Sequence, residues 1–144
     1  VENHVFSYTG NLDTFKFIIS FLKNSDFLRT IMLYNSVNSD PILLKIVIDA
    51  GVDMSYDHYR VLTNGARRGY NKSIKVLLEA GVDPRVHDNI AICIASDYRN
   101  LEIVKLLVEG RADPHARKCT PMDHARRNGD KKLMNYLSSL KEKE

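Results

Sequence analysis

Cysteine is scarce in this chain: Cys93 and Cys119 are the two it has, and they form no C-x-x-C pair. A disulfide framework is therefore not expected, and a reducing, cytoplasmic compartment is. No apolar run is long enough to cross a membrane, and the opening residues "VENHVF" lack the basic-then-apolar pattern of a signal peptide. The chain opens at Val1 rather than methionine, as a piece of a longer protein would. Charge of one sign is also in short supply. A net charge of +3 is too small to argue for a nucleic-acid partner by itself. Motifs of catalysis are missing as well: there is no phosphate-cradling glycine loop, no G-x-S-x-G elbow and no H-E-x-x-H. Neither an enzyme nor a cofactor or metal site is expected.

Apolar residues make up 44% of the 144 residues and charged residues 27%, a balance that folds rather than one that stays disordered. The organising feature is a repetition. "IKVLLEAGVDP" ends at Pro84 and "VKLLVEGRADP" at Pro114, with "LKIVIDAGVDM" ending at Met54. Lys45, Lys75 and Lys105 recur at intervals of thirty, as do Asp53, Asp83 and Asp113. A fixed period of this size marks a solenoid, in which each unit covers the apolar face of the next. Within a unit the spacing is helical, as in Ile74, Leu77 and Leu78, then Ile103, Leu106 and Leu107. Gly51 and Gly81 stand where such a helix would stop in a left-handed cap. Shorter segments upstream, "VLTNGA", "IAICIAS" and "PMDHAR", complete a unit of helix, tight turn, helix and loop.

The segment "CTPMDHARRNGDKKLMNYL" from Cys119 to Leu137 resembles the ankyrin consensus, whose first helix opens T-P-L-H-x-A. Thr120 is expected to cap that helix through its side chain, and Pro121 suits its first position. "NLEIVKLLVEGRAD" resembles the second ankyrin helix and its exit. The resemblance implies an all-α solenoid: one partial unit at 1–24, then fuller units at 25–54, 55–84, 85–114 and 115–144, together forming a single domain. The usual period is 33 residues, and the shortening falls between Asp113 and Thr120, in the projecting β-turn finger. This compact spacing is similar to the ankyrin arrays encoded by giant viruses of amoebae. Arg99 stands at the inter-helix turn where the family has a glycine and a positive φ.

Alignment with the family carries over the variable positions of the first helices as partner contacts. In the last unit these are His124, Arg127 and Asn128; one unit earlier, Ile94, Asp97 and Tyr98; before that, Asn64, Arg67 and Arg68; and Tyr34 in the unit at 25–54. The loops add Tyr56, His58, Arg85, His87 and Arg117, with Asp88 and Lys118 beside them. Tyrosine and arginine are the residue types most enriched at protein interfaces and their hot spots. The resemblance thus implies a monomeric interaction scaffold that binds a protein partner through a concave face and its loops. A nucleic acid or another anionic ligand held by the arginines is the alternative, and a passive spacer arm of a larger adaptor a further one. His58, His87 and His115 recur near successive loops and read as exposed loop histidines. Cys93, between apolar neighbours, is expected to be a packed thiol.

Overall fold

The computed structural model describes residue 17 and residues 41–49, 51, 58–118 and 120–140. The expected units before residue 41 lie outside the described residues apart from Phe17, and so do Asp53 and Cys119. Within them are helices and turns and no strand. From Pro41 onward the helices are α1 (Pro41–Asp49), α2 (His58–Arg68), α3 (Asn71–Glu79), α4 (Val86–Asp97), α5 (Leu101–Glu109), α6 (Pro121–Arg127) and α7 (Lys131–Ser139).

The thirty-residue period becomes a packing register. Val47, Leu77, Leu107 and Leu137 occupy one position of successive second helices, and all four are buried. Leu44, Ile74 and Val104 do the same one turn earlier. The spacing of three places these residues on one helix face, which a neighbouring helix must cover. Accordingly α1 packs on α3 and α3 on α5, while α2 packs on α4 and α4 on α6. Two layers result, one of first helices and one of second helices. Leu78 and Leu106 sit at the edge of this core and are only partly buried.

Turn chemistry repeats with equal fidelity. Each first helix ends in a 6→1 hydrogen bond: the N–H of Tyr70 donates to the Gly65 carbonyl (3.0 Å), Asn100 to Ala95 (2.8 Å) and Asp130 to Ala125 (2.9 Å). Such a closure needs one left-handed residue, supplied by Gly69, Arg99 and Gly129 at φ 77°, 60° and 62°. Arg99 thus takes the glycine conformation without altering the turn. The second helices close the same way, Val82 donating to Leu77 and Ala112 to Leu107. There the left-handed residues are Gly51, Gly81 and Arg111. Gly110, one residue earlier, serves a different purpose: a Cβ on it would lie 2.9 Å from Cδ2 of Leu78, so glycine leaves that leucine its place.

The recurring aspartates also acquire a reason. Oδ1 of Asp83 accepts from the Arg85 N–H (2.9 Å), and Oδ1 of Asp113 from the His115 N–H (2.8 Å). Each side chain closes its own loop two residues on, the local bond that favours aspartate in turns. The recurring lysines lie on the exposed side of the second helices, near Asp49, Glu79 and Glu102. Surface pairs of this kind contribute little to stability.

Several local expectations are corrected. Thr120 makes no side-chain cap at the start of α6; its carbonyl accepts from Asp123 and His124 instead, and Pro121 opens the helix. Asp130 is the residue that caps a helix, its Oδ1 accepting from the Leu133 N–H at 3.1 Å. Cys93 is buried but disulfide-bonded rather than a free packed thiol, a state that the expectation of a reducing compartment did not include.

The final helix pair differs from its predecessor in one instructive way. Cys93 and Ser96 are buried on α4, whereas the residues thirty further on, Asp123 and Arg126, are exposed and face each other at 3.5 Å.

Candidate interaction surface

The expected first-helix positions from Asn64 to Asn128 lie on or just after α2, α4 and α6, which pack side by side. Arg67 and Arg68 occupy the last turn of α2. Tyr98 follows the end of α4 and is 51% exposed, a high value for a large ring. The Arg67 guanidinium carbon lies 5.8 Å from the centroid of that ring, so two successive helix pairs meet through a cation–π contact.

The next boundary is bridged by charge. Asp97 accepts a hydrogen bond from Nη2 of Arg127, and its Oδ1 stands 3.0 Å from Nδ1 of His124. Asn128 donates through Nδ2 to the Asp97 carbonyl at 2.7 Å. The His124 and Arg127 hydrogen bonds, in that order, hold the Asp97 carboxyl below the ordinary carboxylate range, against the smaller upward push of burial. These four residues therefore form one linked cluster across α4 and α6, and three of them come from the last helix pair.

Not every expected contact residue reaches the surface. Asn64 is buried at 8% exposure, and Ile94 is half-buried against the core rather than an exposed apolar spot. Tyr34 and Tyr56 lie outside the described residues; His58 begins α2, with its side chain outside them too. In the loops Arg85 is turned back on Asp83, with two side-chain hydrogen bonds of 2.9 Å. Arg117 is exposed.

The loop at the start of α4 is unusual in its backbone. His87, Asp88 and Asn89 all adopt left-handed conformations, at φ 50°, 58° and 63°. Single left-handed residues are ordinary for Asp and Asn; three in a row require outside support. Part of it comes from the following loop: Asn89 Oδ1 accepts from the Asp113 N–H at 2.8 Å, and Lys118 Nζ donates to Asp88 Oδ2 at 2.7 Å. Nε2 of His115, in the same loop, is buried without a hydrogen-bond partner. Among the described residues no three His, Cys, Asp or Glu side chains come together as a metal-binding group.

Sequence reasoning missed Asn89, Asn100 and Asp130. The last two precede helices at equivalent positions, where a cap is expected. Asp130 does cap. Asn100 instead sends Nδ2 back to the Ala66 carbonyl, 2.6 Å away on α2. Residue type separates the two: the Asn100 amide can donate to a carbonyl, whereas the Asp130 carboxylate can only accept.

Among the described residues no helix is long and apolar enough to cross a membrane. A family model of ankyrin repeats, in three copies, matches residues 62–143. No curated protein and no solved structure matches the chain.

Proposed function

Because the chain belongs to the ankyrin-repeat family, we propose that it is a protein-interaction module that binds its partner along the exposed edge of the first-helix layer. Arg67, Arg68, Tyr98 and Asn128 carry the contact there, with Arg117 and His87 contributing from the loops. The observation that supports this reading most is the exposed Tyr98 ring beneath the Arg67 guanidinium. A large ring left half in water and already stacked on arginine offers contact area at low entropic cost, as interface hot spots do.

The pairing of basic residues weighs against a nucleic-acid partner. Arg127 is engaged with Asp97, Lys118 with Asp88, Arg85 with Asp83 and Arg126 with Asp123. Binding a phosphate backbone draws on a run of uncompensated cations. The family typically works by binding rather than catalysis, and no reaction is assigned to the chain.

A crosslinking pull-down with the native chain and an Arg67→Glu, Tyr98→Ala variant tests the reading, with folding of both checked by circular dichroism. Arg127 stays unchanged, because a glutamate there would face Asp97. The expected result is a protein retained by the native chain and lost by the variant. Retention of the same protein by both overturns the reading, and retention by neither points to a spacer.

A further inference from the structure

We infer that the partner segment seated on this edge is acidic, with a carboxylate placed on Arg67 and Arg68. The inference rests on the reading that the first-helix edge is the binding face, and it specifies the chemistry of what binds there.

Asp97 is the one carboxylate among the edge's described contact positions, and it is occupied by Arg127 and His124. Arg127 is thereby compensated. Arg67 and Arg68 are both exposed, and neither has a carboxylate partner among the described residues. They stand in the last turn of α2, where the helix dipole offsets about half of one unit charge. The dipole is too weak to balance two guanidinium groups. Net positive charge therefore remains at this end of α2.

The geometry then favours a carboxylate over a diffuse anion. Contact with the Tyr98 ring restrains the Arg67 guanidinium, and a guanidinium that uses its face on a ring keeps its N–H edge for a carboxylate, which it pairs with in two parallel hydrogen bonds. The platform beneath is tied down. Asn100 Nδ2 holds the Ala66 carbonyl in the same last turn of α2, and Gly69 lies so close that an added Cβ would sit 3.4 Å from Asn100 Oδ1. A guanidinium already oriented loses little freedom on binding, which raises the affinity of each bond made.

Fluorescence anisotropy of labelled synthetic peptides tests this, at low ionic strength and again in high salt. The probes are a peptide of alternating Glu, Ser and Leu, its Gln counterpart and its Lys counterpart, each offered to the native chain, to Arg67→Glu/Arg68→Glu and to Tyr98→Ala. The expected result is that the Glu probe binds the native chain about tenfold or more tighter than the Gln probe, and that the reversed pair abolishes this preference. High salt should narrow it, since the Debye length falls to about 3 Å at 1 M. Equal binding of the Glu and Gln probes overturns the inference, as does a preference that survives the reversal. If binding lacks acid preference yet weakens in Tyr98→Ala, the acidic partner is wrong while the binding face stands. If no probe binds, or none responds to either variant, the acidic partner is wrong and the binding face loses its support with it.

Discussion

Asp97 on α4 and His124 on α6 meet across the boundary between two helix pairs, with 3.0 Å separating Oδ1 from Nδ1. Nη2 of Arg127 stands 2.9 Å from the same Nδ1 while donating to the same carboxylate oxygen. The chemical consequence is an aspartate held in its charged form by groups from the neighbouring helix. Its folded pKa lies below the unfolded value of about 3.9, so the pairing stabilises the fold above that pH and loses its contribution as pH falls through the folded pKa. Side-chain carboxyl NMR titration should find Asp97 below the ordinary range, and His124→Ala and Arg127→Ala should each raise it. The side chain is 37% exposed, so water screens the effect, and an unshifted Asp97 would remove the cluster from the account.

Leu107 is fully buried at the register position shared with Leu77 and Leu137. Truncation to alanine leaves a cavity between α5 and its neighbours and should cost about 2–5 kcal/mol in urea unfolding. A loss under about half a kcal/mol, the range of an ordinary surface substitution, would contradict the packing register.

Arg111 occupies with φ 76° the left-handed position that Gly81 fills thirty residues earlier. An L side chain pays about 1–2 kcal/mol in that conformation, partly offset by the extra unfolded-state entropy of glycine. Arg111→Gly should therefore stabilise by about 0.5–1 kcal/mol, and Gly81→Arg should destabilise by a comparable amount. Thermal melts of the two variants check the pair, and opposite signs are the expected outcome.

Asn100 links α2 to the turn after α4 through its bond to Ala66. Replacing it with alanine leaves a part-buried carbonyl short of a donor and should cost about 1 kcal/mol. Asn100→Asp should cost more, since a carboxylate cannot donate and would point at a carbonyl oxygen. Chemical denaturation of both variants distinguishes the loss of a specific bond from a general intolerance of change.

The legible part of the fold was the part written locally. The thirty-residue recurrence of leucine, glycine and aspartate places each helix pair, its turn and its loop, because helix period, left-handed caps and aspartate turns depend on a few neighbouring residues. Arg99 illustrates the strength of that register: the position demanded a positive φ, and arginine adopted it at φ 60°. The candidate surface was legible as a stripe of positions but not in its chemistry. Asn64 is polar and buried, Ile94 is apolar and half-covered, and Arg127 belongs to Asp97. Each outcome depends on what the next helix pair presents.

The sequence by itself determined the repeat, the helices from Pro41 onward and the boundaries of the turns, since these follow from periodicity and from the conformations glycine and proline allow. Tertiary structure alone decided which charges remain available. Asp97, His124 and Arg127 stand 27 and 30 residues apart in the chain and meet because α4 and α6 stack. Electrostatic pairing depends on distance in space, and a distance between units is set by packing rather than by any local pattern. That same packing sets Arg67 over the Tyr98 ring, and among the described residues neither Arg67 nor Arg68 has a carboxylate partner.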